Sequence, residues 1–280
     1  MTQEDEYVLL SNLKMNLINA AETINLKLTE PDFGWKREKD SNKKKFYLLH
    51  RDNNLFEKPY KDVKLGKDVE AIRSSAAMIF NLLGQTDITI NGKHYGKPNY
   101  ETKLGAIFDK LGNKHNANLD ATLYSEDEFL AIEAKLLEWS NSPKKLPSAY
   151  LNSNMYFYKE HSTCFIDFFK WLINIKFKKY DAFQMAIHIL ALYNECLSNK
   201  KLPKKISLWN VVWEHKCDDY DKEKAESNTF IEYANQTFKP LFKKIGHNFS
   251  VEYKTFQNVR DSIDYTNNPK RIEYLKRYDI

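Results

Sequence analysis

Two runs of alternating residues, NLDATLY (118–124) and FLAIEAKL (129–136), decide the fold of this chain. In the first run, polar or tyrosine side chains occupy the even positions, and leucine or alanine occupies the odd ones. In the second run, an apolar face at positions 130, 132, 134 and 136 lies opposite a face that carries Glu133 and Lys135. Such alternation is typical of β-strands, whose successive side chains point to opposite faces. The short acidic segment SEDE (125–128) between the runs predicts a β-hairpin.

The predicted hairpin brings several chemically reactive groups together. Glu133 and Lys135 are two positions apart on one strand, so both side chains emerge on the same face. Asp120 lies on the preceding strand, and the position of the turn predicts that it pairs near the Glu133–Lys135 end. The backbone carbonyl of Ala134 is available between them. The sequence therefore predicts two carboxylates, one carbonyl and one ammonium group on a rigid support.

The rest of the chain alternates between predicted helices and strands. Apolar residues at helical spacing predict helices at 7–28, 68–83, 181–197, 219–244 and 268–278. Alternating or continuous apolar runs predict strands near 46–49 and at 206–213 and 248–256. This mixture predicts a mixed α/β (α+β) fold.

The bulk composition is that of a soluble globular protein. The 280 residues are 42% hydrophobic and 29% charged, and they can form one large domain with a real core. The net charge of +5 is compatible with a nucleic-acid partner but does not demand one. The runs of lysines in the sequence could contact a phosphate backbone, or they could simply form a solvated surface.

The expected location is the cytoplasm. The 3 cysteines are scattered and odd in number, so they do not form a disulfide framework. Met1 is followed by an acidic segment, TQEDEY, which is not a secretory signal. No apolar run approaches the roughly 18 residues that a membrane span needs.

The groups on the hairpin suit the hydrolysis of phosphodiester bonds. That reaction uses one or two hard cations, usually Mg²⁺, which polarise the phosphate and generate a nucleophilic water. Carboxylates such as Asp120 and Glu133 hold these cations, and a nearby lysine such as Lys135 can orient the water or stabilise developing charge. An exposed Glu and Lys on a strand can also be an ordinary solvated pair, so the arrangement with Asp120 carries the prediction.

The pattern Asp120 … Glu133-Ala134-Lys135 resembles the signature of the PD-(D/E)XK nuclease superfamily, which includes the restriction-endonuclease-like folds. The segment AIEAKLLEW (131–139) is similar to the I-E-x-K-x-x-E pattern of one branch. The segment RSSAAMIFNLLG (73–84) resembles the S-S-Q-A-x-x-x-N-x-F helix of that branch, with Ala76 in place of Gln. The helix that starts at Ala182 and the strand at 206–213 resemble its later part. The residue before Asp120 is Leu119, where the signature has proline.

The resemblance implies a restriction-endonuclease-like central mixed β-sheet flanked by helices. It implies a Mg²⁺-dependent nuclease, with Mn²⁺ able to substitute, that acts on DNA in a restriction or other anti-invader role. Asp120 and Glu133 would be the metal ligands together with the carbonyl of Ala134, and Lys135 would be the catalytic lysine. Cleavage of two strands usually needs a homodimer, so a second copy of the chain is an expected partner.

Three further residues fall at positions where members of the superfamily place supporting groups. Glu70 lies on the helix before the hairpin; it could reach the site, or it could be an exposed first-turn acid favoured by the helix dipole. Gln184 begins a polar stripe with His188, which could face the site or be the solvent side of the helix. Glu138 is a weaker candidate for the site.

The resemblance also suggests the domain organisation. We expect a single nuclease-like domain with its core at about 68–214, an N-terminal helical and polar segment at 1–67 and a C-terminal α+β extension at 215–280. A non-catalytic nucleic-acid-binding or partner-binding protein on the same scaffold is the alternative. The aromatic and basic segment FFKWLINIKFKKY (168–180) could stack on bases, or it could be a core-packing amphipathic helix.

Overall fold

The computed structural model describes residues 3–23, 33–37, 44–48, 75–84, 87–109, 111–136, 145–215, 217–266, 272 and 275–279. Its helices are Gln3–Thr23 (α1), Ser75–Leu83 (α2), Ser162–Ile175 (α3), Ala182–Ser198 (α4), Asp218–Lys244 (α5) and Phe256–Ser262 (α6). Its strands are Phe33–Arg37 (β1), Lys44–Leu48 (β2), Ile88–Ile90 (β3), Lys93–Tyr95 (β4), Asn99–Phe108 (β5), Lys114–Tyr124 (β6), Glu128–Lys135 (β7), Lys205–Val212 (β8) and Asn248–Thr255 (β9).

A five-stranded mixed sheet forms the centre of the fold, in the order β5-β6-β7-β8-β9. The pairs β5–β6 and β6–β7 are antiparallel, whereas β7–β8 and β8–β9 are parallel. The fifth strand, β9, comes from the C-terminal extension. The hairpins β1–β2 and β3–β4 form separate two-stranded sheets. The predicted mixed α/β class is confirmed.

Helices cover both faces of this sheet, so two hydrophobic cores form. One core combines α1, α2 and α6 with one face of β7 and β8, including Leu130 and Ile132. The other core combines α3, α4 and α5 with the opposite face, including Phe129, Ala131 and Leu208. Both faces of β7 and β8 are therefore buried, which explains why β8 has a nearly continuous apolar sequence. Among the described residues, no helix has the length and apolar character needed to cross a membrane.

The β-hairpin predicted from residues 118–136 is formed by β6 and β7. The chain turns between Tyr124 and Glu128, and Ala121 pairs with Ile132. Extending this register by one residue places Asp120 opposite Glu133, and the sequence predicts Asp120 near the Glu133–Lys135 end. The predicted apolar face of β7 is also confirmed, since its even-numbered residues 130–136 are all buried in the core beneath α2.

The alternation of β6 is less regular than the sequence predicts. Ala121 and Leu123 lie in the core beneath α2, but Leu119 lies in the core beneath α4. The odd-numbered side chains of β6 therefore point to opposite faces of the sheet before and after Asp120. The neighbouring strand is irregular at the same level, because Glu101 has a left-handed backbone (φ 50°) between the pairs Tyr100–Ala121 and Thr102–Leu119. Local irregularity of this kind re-aims side chains and is common beside active sites.

Several predicted elements agree with the structure and several elements were not predicted. The helices at 181–197 and 219–244 and the strands at 206–213 and 248–256 match α4, α5, β8 and β9 to within one residue at each end. The residues 24–28 and 68–74 of two other predicted helices lie outside the described residues. The sequence did not predict β5, the β3–β4 hairpin or the start of α3 at Ser162.

A buried carboxylate fixes the start of β7 against its neighbours. Glu128 is almost fully buried and accepts hydrogen bonds from Tyr95 (2.9 Å), Lys93 (3.0 Å) and Ser207 (2.5 Å), and it pairs with Lys205 (2.9 Å). Burial alone would raise its pKa, but these donors lower the pKa to about 2. The charged carboxylate therefore ties β4, β7 and β8 together at the end of the sheet opposite Lys135.

Candidate active site

A closed polar network joins Glu133, Lys135 and Gln184. The Nζ of Lys135 donates to Oε1 of Glu133 and to Oε1 of Gln184, both at 2.7 Å. The Nε2 of Gln184 donates to the same Glu133 oxygen at 2.7 Å. Gln184 lies in the first turn of α4, which Asp181 caps by accepting from the backbone N–H of Gln184 at 3.2 Å. The start of α4 is thereby positioned over the carboxyl end of β7.

Asp120 lies beside this network on β6. Its Oδ2 accepts a hydrogen bond of 2.7 Å from the backbone N–H of Ala134, directly past the last ladder pair of β6 and β7. In an extended strand the N–H and C=O of one residue point to the same side, so the carbonyl of Ala134 also faces Asp120. The structure thus brings Asp120, Glu133, Ala134, Lys135 and Gln184 together.

His188 approaches Glu133 from one turn further along α4. Its Nε2 lies 3.0 Å from Oε2 of Glu133, and the two side chains are only 2% and 3% exposed. This contact is close but is not a hydrogen bond, and Oε2 and both ring nitrogens have no hydrogen-bond partner within the described ranges. The polar stripe of α4 therefore faces the sheet rather than solvent.

The charge of Glu133 is stabilised by its neighbours. Burial on its own would raise the pKa of this carboxyl, because a charged group loses its water in the core. The positive charge of Lys135 and the contact with His188 outweigh that effect and lower the pKa to about 2. Glu133 is therefore ionised throughout the physiological pH range.

A row of polar side chains extends across the sheet at the level of Glu133. The register places Asn210 of β8 next to Glu133 and Tyr253 of β9 next to Asn210. Asn210 is 1% exposed, and its amide has no hydrogen-bond partner in the part of the chain that the structure describes. Tyr253 donates to Glu223 of α5 at 3.3 Å. Burial raises the pKa of Glu223 to about 8, although Tyr253 and the charge of Lys135 act in the opposite direction.

A third acid, Glu101, lies on the other side of Asp120. It falls between two pairs of the β5–β6 ladder and is opposite Asp120. Burial raises its pKa, and the negative charge of Glu133 raises it further, so the two carboxyls are close enough to interact. The row from Glu101 to Tyr253 crosses all five strands.

The position of the site in the fold is typical of ligand sites in α/β proteins. Lys135 is the last residue of β7, and β8 and β9 run parallel to β7 and end beside it. Crevices at the carboxyl ends of parallel strands commonly hold ligands, because loops and helix N-termini converge there. The described sheet thus presents Asp120, Glu133 and Lys135 at such an end.

The remaining predicted residues are not placed. Glu70 and Glu138 lie outside the described residues. Glu101, Asn210 and Glu223 were not predicted. A signal existed for Asn210, which is a polar residue inside the apolar run ISLWNVVW (206–213). His188 was seen only as part of the stripe of Gln184, and nothing in the sequence identified the strand that carries Glu101.

Comparison of the chain with models of known protein families, with curated proteins and with solved structures finds no match.

Proposed function

We propose that this protein is a metal-dependent nuclease that hydrolyses phosphodiester bonds, with DNA as its substrate. The single observation that supports this most is the pairing of a buried, ionised Glu133 with Lys135 directly beside Asp120 on a central hairpin. A restriction-endonuclease-like version of the mixed sheet belongs to the same proposal. So do a restriction or anti-invader role, a homodimer and a cytoplasmic location.

The donors around Asp120 are compatible with a hydrated Mg²⁺. Within the described residues, no group of three or more His, Cys, Asp or Glu side chains is arranged to hold a metal. Mg²⁺ usually keeps several waters and binds proteins through only one or two carboxylates. Asp120, Glu133 and the Ala134 carbonyl would supply oxygen ligands; Oε2 of Glu133 accepts no hydrogen bond from the described residues and lies 3.0 Å from Nε2 of His188, which would have to move for this oxygen to bind the cation. Mn²⁺ could take the same place.

In the proposed reaction a water oxygen would bond to phosphorus and lose a proton to solvent, while the bond from phosphorus to one bridging oxygen would break and that oxygen would leave as an alcohol after taking a proton from water. A bound cation, held by Asp120 and Glu133, would polarise the phosphate as a Lewis acid and would acidify the attacking water. Lys135 stabilises the negative charge that develops on the phosphate oxygens. Gln184 holds the ammonium of Lys135 and the carboxylate of Glu133 at fixed distances, so these groups need little rearrangement during the reaction.

A cleavage assay tests this proposal. Supercoiled plasmid, single-stranded circular DNA and structured RNA are incubated with the protein in Mg²⁺, in Mn²⁺ and in EDTA. We expect cutting of DNA in either metal and none in EDTA, with loss of cutting in Asp120→Ala, Glu133→Ala and Lys135→Ala. Leu111→Ala is a matched control, because Leu111 is 86% exposed in the turn between β5 and β6. Undiminished cutting by the Asp120 or Glu133 variant contradicts the site.

The alternative is a non-catalytic nucleic-acid-binding or partner-binding protein on a nuclease-like scaffold. The observation that favours it is the closed network itself: Oε1 of Glu133 is already bound by Lys135 and Gln184, and the side chain is 3% exposed. Such a network could serve only to hold α4 on the sheet. Metal-independent binding of DNA with no cutting of any substrate would support this second function.

A further inference from the structure

A small cavity lies beside the candidate active site, between the end of α3 and the start of α4. Its volume is about 280 Å³. That is close to the lower limit of ligand pockets, which span about 300–1,000 Å³, so it has room for a single ring system rather than a large ligand. Its described lining is apolar and aromatic and includes two lysines: Lys145, Leu146, Leu172, Ile173, Lys176, Phe177, Tyr180, Ala182 and Phe183.

The aromatic lining is held in a fixed orientation. Phe177 meets Trp171 at 77° and Tyr180 at 84°, with ring centroids 6.0 Å and 6.3 Å apart. Phe177 and Phe183 are only partly buried, so they are accessible from the cavity. Rings that are already ordered lose little conformational entropy when a planar ligand stacks on them.

The loop that carries this lining is anchored to α5. The carboxylate of Glu226 accepts hydrogen bonds from the backbone N–H groups of Lys178, Lys179 and Tyr180 at 2.8–3.0 Å. Lys179 also pairs with Asp219 at 2.9 Å. The cavity is therefore a built feature of the fold, because Asp219 and Glu226 in the N-terminal part of α5 hold the loop in place through these polar contacts.

Two residues connect the cavity to the candidate active site. Phe183 lines the cavity, and the next residue, Gln184, binds Lys135 and Glu133. Tyr180 also lines the cavity, and its buried hydroxyl has no hydrogen-bond partner among the described residues. Burial raises the pKa of Tyr180, and the negative charges of Glu223, Asp181 and Glu133 raise it further, so this hydroxyl lies near the site.

The charge pattern around the cavity selects among possible occupants. Lys145 and Lys176 are exposed at its margin, so the occupant should combine a flat apolar part with negative charge close by. A nucleotide within a strand has this chemistry, because its base stacks on aromatic rings while the flanking phosphates attract lysines. A base can enter such a cavity only if it is unpaired.

We propose that this cavity binds one unpaired nucleobase of the substrate strand, next to the phosphodiester bond that the candidate active site hydrolyses. The second half of this statement rests on the proposed nuclease function, whereas base binding does not. The substrate is then single-stranded DNA, or duplex DNA with a base turned out of the stack. The aromatic and basic segment at 168–180 would stack on a base through its last part, at Phe177, which is partly exposed.

A binding assay that excludes cleavage tests the proposal. Fluorescence anisotropy is measured in EDTA with two labelled probes of equal charge: an oligothymidylate of about twelve nucleotides, within the usual range of single-strand site sizes, and an abasic chain of the same length. Stacking on an aromatic residue changes affinity by about 5- to 150-fold per base. Wild type should bind the base-containing probe at least about 5-fold more tightly, and Phe177→Leu should bind both probes nearly equally.

Three variants separate the effect of stacking from charge and from folding. Phe177→Tyr keeps the ring and should keep the preference of wild type. Lys145→Glu should weaken the binding of both probes by the same factor. It should also lower by about one the number of ions released on binding, which is read from the salt dependence of the affinity. Phe183→Leu is a second test of the lining if Phe177→Leu shows a lowered melting temperature. Equal binding of both probes by wild type, or an unchanged preference in both leucine variants, overturns the proposal.

The result is independent of the nuclease proposal. A base preference that depends on Phe177, in a protein that cuts nothing in Mg²⁺ or Mn²⁺, would support base binding in the cavity and contradict the proposed nuclease activity. Metal-dependent cutting with no base preference would support the nuclease activity and contradict base binding in the cavity.

Discussion

Replacing Glu133 by glutamine tests whether the buried ion pair with Lys135 stabilises the fold as well as forming a site. Glu133→Gln keeps the shape of the side chain but removes its charge. The pKa of Glu133 is lowered from its ordinary value of 4.5 to about 2 by Lys135 and His188 against the effect of burial. At roughly 1.4 kcal/mol per pKa unit, this difference corresponds to about 3 kcal/mol. We therefore expect Glu133→Gln to lower the free energy of unfolding by about 2–3 kcal/mol at pH 7.

The same loss should depend on pH with a defined sign. A carboxyl whose pKa is lowered by folding contributes its full stability above its ordinary value of 4.5, and this contribution is lost as the pH falls towards about 2. The difference between wild type and Glu133→Gln should therefore be largest at pH 6–7 and shrink below pH 4. Other carboxylates titrate in both proteins, so only the difference between them is informative.

Urea unfolding followed by circular dichroism measures this difference. A double-mutant cycle with Lys135→Met isolates the pair, and we expect a coupling energy of about 2 kcal/mol, within the range for residues in contact. Equal stability of Glu133→Gln and wild type at pH 7, or a coupling energy near zero, would refute the reasoning.

Three other predictions concern packing and buried polar groups. Gly105→Ala should lower the free energy of unfolding by about 1–3 kcal/mol in urea titrations, because an added Cβ would lie 2.5 Å from the ring of Phe157; a stability equal to that of wild type would contradict this close contact. Asn210→Leu should raise the melting temperature by a few degrees, because it replaces a buried amide that has no hydrogen-bond partner among the described residues, and a lower melting temperature would indicate a partner that stabilises the amide. Glu128→Gln should destabilise the protein at neutral pH, and this effect should fade as the pH falls from about 4.5 towards about 2, because the donors around Glu128 lower its pKa to about 2; pH titration of the melting temperature checks this, and a difference from wild type that stays constant with pH would count against it.

The hairpin was predictable because its signal is local. Two alternating runs and a short turn indicate both the strands and their approximate register, so Asp120 could be placed near the Glu133–Lys135 end. The first turn of α4 was also predictable as a helix. Which side of α4 faces the sheet was not, because a polar stripe with Gln184 and His188 looks the same whether it meets solvent or a buried carboxylate.

The unpredicted parts depend on contacts between distant segments. β5 contains the polar run NYETK (99–103), and its strand conformation depends on pairing with β6. The proximity of Glu101 to Glu133 follows from that pairing and from one left-handed residue. Glu223 approaches Lys135 only because α5 packs over β9. Sequence periodicity does not encode such long-range juxtapositions.

The rate of DNA cleavage under single-turnover conditions tests the central claim most directly. Wild type is compared with Asp120→Asn, a substitution of nearly equal shape, with excess protein over a labelled substrate in Mg²⁺ and in EDTA. Loss of a metal ligand should remove several kcal/mol of transition-state stabilisation, so we predict a rate lower by about 10³-fold and an unchanged melting temperature within a few degrees. A metal-dependent rate in Asp120→Asn equal to that of wild type would contradict the assignment of Asp120, Glu133 and Lys135 as the active site.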